Sequence, residues 1–104
     1  MNNLPALENI MASENKLVGP LPSFGNYQKI NYIDLSGNQL SGEIPLDFLK
    51  SVPREDKIVV DISGNKLKGT IPRELVRLQR LTIHAQDNNI EAVSYTHLTL
   101  PTKA

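Results

Sequence analysis

Apolar and polar residues alternate in short bursts along this chain, and the bursts return at a long and nearly constant interval. Four asparagines set the register: Asn15, Asn38, Asn65 and Asn88 stand 23, 27 and 23 residues apart. Five residues before each lies a large aliphatic, Ile10, Ile33, Val60 and Ile83, and three before lie Ala12, Leu35, Ile62 and Ala85. Two residues after come Leu17, Leu40, Leu67 and Ile90. In the first three units a glycine follows at the fourth place (Gly19, Gly42, Gly69), an aliphatic at the sixth (Leu21, Ile44, Ile71) and a proline at the seventh (Pro22, Pro45, Pro72). Self-similarity at such a period is the mark of a stacked-repeat architecture.

Each position has a physical reading. Apolar residues two apart point the same way from an extended segment, so Ile33 with Leu35, and Val60 with Ile62, predict short strands with one inward face. A single unit cannot bury that row alone; only the next coil can, which makes the stack the unit of stability. The asparagine stands where the chain turns out of the strand. Its amide can both donate to and accept from backbone groups there, so Asn15, Asn38, Asn65 and Asn88 are expected to form a ladder through the stack. Glycine permits a backbone path or a close approach that a Cβ would obstruct, and proline ends strand pairing just beyond it.

The middle units read IDLSGNQLSGEIP from Ile33 to Pro45 and VDISGNKLKGTIP from Val60 to Pro72. They resemble the plant-type leucine-rich repeat, LxxLxLxxNxLxGxIP, over roughly Leu4 to Ile90. The resemblance implies an α/β leucine-rich repeat solenoid of about four coils. Short parallel strands would line its concave face, with 3-10 or short helical and loop segments on its convex face.

Departures from the repeat are local. The second interval carries four extra residues, which fall in the stretch LDFLKSVPREDK, Leu46 to Lys57, on the back of a coil. There Leu46, Phe48, Leu49 and Val52 are expected to pack inward, and Pro53 to Asp56 to form a solvated turn. In the third unit, Pro72 to Leu78 predicts one or two turns of helix, with proline in the first turn and Leu75 and Leu78 facing the core. The fourth unit is degraded, with Ala85 in place of a larger aliphatic and no Gly-x-Ile-Pro after Ile90.

Composition removes several classes of function. Lysine plus arginine equals aspartate plus glutamate at 11 each, so net charge offers no reason to propose nucleic acid or an anionic membrane as partner. There is no cysteine. Either the chain lives in a reducing compartment, or it is the interior of a larger object whose cysteines lie elsewhere. Residues 1–6 lack the basic and apolar regions of a signal peptide, and no apolar run is long enough to span a bilayer. Ser36-Gly37-Asn38 and Ser63-Gly64-Asn65 are turn sequences with no phosphate-loop Lys-Ser/Thr after them. His84 has no second histidine, cysteine or carboxylate cluster at ligand spacing, so neither a metal site, a cofactor nor enzymatic catalysis is expected.

What remains is a solvent-facing sheet built from the non-motif positions. These are Asn9, Met11 and Ser13, then Tyr32, Asp34 and Ser36, then Val59, Asp61 and Ser63, then Thr82, His84 and Gln86. Concave solenoid faces bind extended partners. Tyr32, Asp34, Val59, Asp61 and His84 are the candidate ligand-binding residues. The resemblance implies a protein- or peptide-binding scaffold from the ectodomain of a receptor-like kinase or receptor-like protein, acting in signal transduction at the extracellular face of the plasma membrane. Its expected partner is a protein or peptide ligand, with a co-receptor as a further candidate; nucleic acid and direct membrane contact are not expected. Two alternatives share the repeat: a secreted enzyme inhibitor similar to the polygalacturonase-inhibiting proteins, and a structural wall-associated protein.

The stretch VSYTHLTLPTKA, Val93 to Ala104, fits no repeat position. It resembles the in-frame translation of a sequencing-library adapter, which reads Val-Ser-Tyr-Thr-His-Leu-Thr-Leu-Pro-Thr and completes an alanine codon ahead of it. The expected organisation is therefore a repeat fragment over residues 1–91 and an adapter-derived tail over residues 92–104. Taken alone, such a fragment is expected to expose apolar rows at both ends of its stack and to self-associate.

Overall fold

The computed structural model describes residues 6–91. The segment ahead of each ladder asparagine is extended: β1 (Asn9–Met11), with its counterpart in the second coil at Tyr32–Asp34, in the third at Lys57–Asp61 and in the fourth at Arg80–His84. The segment after each asparagine is extended as well, at Val18–Pro20 (β2), Gln39–Glu43, Lys66–Gly69 and Asn89–Ile90. In chain order the strands alternate, so odd numbers (β1, β3, β5, β7) are the first set and even numbers (β2, β4, β6, β8) the second. Each set forms a parallel sheet in coil order, β1-β3-β5-β7 and β2-β4-β6-β8. This is the four-coil solenoid expected from the repeat.

The second sheet adds to that expectation, which placed only loops and short helices beyond the asparagine. Its inward residues are Leu40, Leu67 and Ile90, all buried. Its strands run through the motif glycines, and Gly42 and Gly69 adopt φ of +81° and +83°. A side chain is disfavoured there, so glycine lets the strand bend between the inward leucine and the inward isoleucine two places on. Helical structure among the described residues is a single 3-10 helix, Arg73–Arg77, in the third coil. Leu75 within it and Leu78 just past its end are buried in the core.

The core is a column of aliphatics, one layer per coil. Ile33, Val60, Ile62, Leu67 and Ile71 have no exposed surface. The register stacks Ile10 on Ile33, Ile33 on Val60 and Val60 on Ile83. Backbone bonds continue past the first sheet into the turn: Ala12 N–H donates to Asp34 O, Leu35 N–H to Asp61 O and Ile62 N–H to His84 O, at 2.8–2.9 Å.

The asparagines close what the backbone leaves open. Asn65 Nδ2 donates to Ile62 O and Ser63 O of its own turn and to Leu35 O of the preceding coil, while its Oδ1 accepts from Leu40 N–H at 3.0 Å. Asn38 and Asn88 repeat the arrangement, accepting from Leu17 N–H and Leu67 N–H. All three are buried. Among the described residues Asn15 bonds only within its own turn, to Ala12 O and Ser13 O, and it is exposed.

The inserted stretch folds as a run of turns across the back of the second coil. Phe48, Leu49 and Val52 are buried, but Leu46 is 73% exposed, contrary to the expectation that it packs inward. The reason is local. Phe48 N–H donates to Pro45 O, closing a turn whose two corner residues, Leu46 and Asp47, face solvent. The guanidinium of Arg77 spans the gap to the third coil, donating to Val52 O and Leu49 O at 2.7 Å each. Pro53 to Asp56 is an exposed turn closed by Asp56 N–H on Pro53 O.

The ends of the stack differ. Leu17 is 42% exposed where its counterparts Leu40 and Leu67 are at 4% and 0%, so the N-terminal end presents an open apolar layer. In the fourth coil Leu81, Ile83, Ala85 and Ile90 are all buried, so the open row expected at that end is not observed. The tail reading, residues 92–104, lies outside the described residues.

Candidate binding face

Alternation along β1, β3, β5 and β7 sends every second side chain away from the core, and the parallel register places those side chains in rows across the coils. One row runs Asn9, Tyr32, Val59, Thr82; the next runs Met11, Asp34, Asp61, His84. Neighbours within a row are about 4.8 Å apart, the spacing of paired strands. The five candidate residues therefore share one face and adjoin one another: Tyr32 beside Val59, Asp34 beside Asp61, and Asp61 beside His84. Tyr32, Asp34, Val59 and Asp61 are half-buried, His84 is exposed, and Met11 is 76% exposed at the edge.

The two aspartates are partly committed to the scaffold. Asp34 Oδ1 accepts from the N–H and the hydroxyl of Ser36, and Asp61 Oδ1 does the same with Ser63, at 3.1 and 2.7 Å in both coils. These bonds hold the carboxylate upright over the turn, as short polar side chains do at strand ends. They also fix one oxygen of each carboxylate and turn the serine hydroxyls toward the aspartates. The face thus offers carboxylate acceptors, a phenol, a methyl-bearing valine and an imidazole in a fixed grid, an arrangement suited to holding an extended partner.

Two residues of this face were not among the candidates. Lys57 and Arg80 are paired in register at the start of β5 and β7, and both are exposed. Alternation puts them on the same side as Val59 and Thr82, so the face carries two adjacent cations beside its neutral row. Their shared offset, eight residues before Asn65 and Asn88, was the available signal. Among the described residues no group of three or more His, Cys, Asp or Glu side chains is placed to hold a metal ion.

Two parallel sheets, an asparagine ladder and one aliphatic layer per coil define a leucine-rich repeat solenoid. The chain carries leucine-rich repeats: the family described as Leucine Rich Repeat matches residues 29–51 and 58–78. No curated protein sequence matches it significantly. Among solved structures it is similar to the ectodomain of the plant membrane receptor kinase GASSHO1/SCHENGEN3 from Arabidopsis thaliana, in complex with Casparian strip integrity factor 2. The identity is 36% and the TM-score 0.68, covering 85% of this chain and 10% of the receptor chain. It is similar to a chain of the BIR3–SERK2 complex from Arabidopsis thaliana at 32% identity and a TM-score of 0.68, covering 88% of this chain and 48% of that one. The ectodomain of the Arabidopsis receptor kinase HAESA, in complex with an N-terminally extended IDA peptide hormone, matches at 28% identity and a TM-score of 0.53. That match covers 86% of this chain and 19% of the receptor chain. The chain thus spans between about a tenth and about half of the length of these structures. Among the described residues no helix is long and apolar enough to cross a membrane.

Proposed function

We propose that this chain is a slice of a receptor ectodomain that binds a protein or peptide ligand on the sheet face carrying Tyr32, Asp34, Val59, Asp61 and His84. The observation that supports this most is the register itself, which assembles those five side chains into adjoining rows on one solvent-facing sheet. The similar ectodomains were solved with a peptide hormone, with a named factor or with a partner protein, which favours the same class of partner here, a co-receptor included. The parent protein would act at the extracellular face of the plasma membrane. This segment would contribute recognition and no catalysis, and it needs no cofactor. The supporting residues are divided between anchors and acceptors: Tyr32 and Val59 supply apolar contact, Asp34 and Asp61 accept hydrogen bonds or pair with a cation, and His84 donates or accepts at the edge.

The test is alanine substitution of the five residues together in the full-length protein, after its ligand has been captured from extracellular peptides and proteins. A loss of affinity of at least tenfold with unchanged thermal stability is expected. Unchanged affinity would mean that this slice only spaces other coils.

We further propose that residues 1–91 are the repeat segment and residues 92–104 an adapter-derived tail. Sequencing the source transcript across the codon for Ala92 tests this. Repeats that continue past Glu91 without VSYTHLTLPTKA are expected; the same tail in independently prepared template would overturn it.

A further inference from the structure

We propose that the sheet face selects its partner by charge pattern, taking an extended peptide segment in which an acidic residue stands next to a basic one. This rests on the reading of the face as a peptide-binding surface and adds which peptide chemistry it takes. The basis is a division of charge at positions the repeat leaves variable. Lys57 and Arg80 are paired in register at the starts of β5 and β7, and both are exposed. Four residues along the strand from Lys57 stands Asp61, paired with Asp34 on one side and His84 on the other. One end of the face is therefore cationic and the other anionic, about 13 Å apart at an extended rise of about 3.3 Å per residue.

Neither end is neutralised within the protein. Among the described residues no ion pair holds Lys57 or Arg80. In the second coil the position that aligns with them is buried Ile30, which leaves the cations in the third and fourth coils. Asp34 and Asp61 each commit one oxygen to the serine two places on, which fixes the pose of the carboxylate. The other oxygen of each accepts no bond among the described residues. Between the charged ends runs the uncharged row Tyr32, Val59, Thr82, against which a peptide backbone can lie.

The offset between the two ends decides the sequence of the partner. The cations centre between the third and fourth coils and the carboxylates between the second and third, a shift of one strand spacing, about 4.8 Å along the stack. An extended peptide laid across the strands sends successive side chains to opposite flanks and advances about 3.3 Å per residue. Adjacent residues therefore reach the two ends, an acid to Lys57 and Arg80 and a base to Asp34 and Asp61. Residues two apart fall on the same flank, and residues three apart advance about 10 Å, twice the shift. The two neighbouring cations also suit a carboxylate, whose two oxygens can each accept from one of them.

The test pans random twelve-residue peptides displayed on phage against the 104-residue chain. Enrichment of adjacent acid–base pairs among the bound peptides is expected. One such peptide is then synthesised with its acid replaced by the corresponding amide, and both forms are titrated by calorimetry. On the original chain the replacement is expected to weaken binding about fivefold, the effect of one exposed ion pair. On the Lys57→Gln/Arg80→Gln chain it is expected to change nothing. Replacing the peptide's base by glutamine should likewise weaken binding to the original chain and not to Asp34→Asn/Asp61→Asn, whose amide oxygens can still accept from Ser36 and Ser63. Should either double variant lose its fold by circular dichroism, Lys57→Gln or Asp61→Asn alone gives the same comparison. Bound peptides without the pair, or equal losses on original and variant chains, would overturn the proposal. If such peptides still lose affinity when Tyr32, Asp34, Val59, Asp61 and His84 are changed to alanine, the face binds peptides without selecting charge. If they bind that variant unchanged, the peptide-binding reading of the face falls as well.

Discussion

At the scale of single residues, the ladder asparagines are not equivalent, and their difference is measurable. Asn65 is buried and bonded to two coils, so Asn65→Ala would strand Leu40 N–H in the core and leave Leu35 O with its bond from Asn38 Nδ2 alone. A buried backbone group left unpaired costs about 1–3 kcal/mol, and a loss of that size is expected in chemical denaturation. Asn15 is exposed and, among the described residues, bonded only within its turn, and Asn15→Ala in the 104-residue chain should cost less than about 1 kcal/mol. The residue before each asparagine is a second repeated feature. Glu14, Gly37, Gly64 and Asp87 all have positive φ, between +56° and +69°. Gly37→Ala would also bring a Cβ close to the Glu14 carboxylate, but that group ends a flexible side chain and can swing away. The expected cost is therefore that of the left-handed backbone alone, about 1–2 kcal/mol, and the double variant with Glu14→Ala should be no more stable than Gly37→Ala.

At the scale of elements, the inserted stretch shows what a repeat can absorb. Its extra residues form turns over the second coil, with Phe48 packed edge-on against Phe24 at 6.1 Å between ring centroids. Phe48→Ala should cost about 3–5 kcal/mol, whereas Leu46→Lys, at an exposed turn corner, should stay within about 0.5 kcal/mol. Arg77 ties this stretch to the next coil through two carbonyls. Arg77→Lys keeps the charge but not the planar fork that reaches both oxygens. It should speed amide exchange over residues 48–52 while leaving exchange in β5 and β7 unchanged. The inward positions of the first strands were legible in the sequence because period-two alternation is a side-chain signal. The second sheet was not, because it is built on backbone pairing around Gly42 and Gly69, residues that otherwise read as turn formers. Leu46 misled for a related reason: hydrophobicity suggested burial, and the turn closed by Pro45 decided otherwise. The candidate face was legible as a set of outward residues. Its internal commitments, Asp34 with Ser36 and Asp61 with Ser63, depend on a turn geometry that spacing alone does not specify.

At the scale of the whole molecule, stability should be distributed as in a one-dimensional stack, where each coil is held by its neighbours. Among the described residues the inner coils have a neighbour on both sides and the first has one, and Ile33 and Val60 are fully buried while Ile10 and Ala12 are only half-buried. Two consequences can be separated by experiment. Unfolding should begin at the first coil, so amide exchange should be fastest in β1 and β2 and slowest in β5 and β6. Association should begin there too, since Leu17 and Val18 present exposed aliphatic surface beside strand edges that have no partner among the described residues, the combination that invites edge-to-edge pairing. The 104-residue chain is therefore expected to self-associate with rising concentration and to melt over a broad range. Val18→Lys should reduce the association without narrowing the melt, because it blocks the edge but adds no neighbour. A monodisperse monomer with a sharp, concentration-independent transition would show instead that the four coils already form a closed cooperative unit. In that case the apolar layer at the first coil would be tolerated surface and not an unfinished interface.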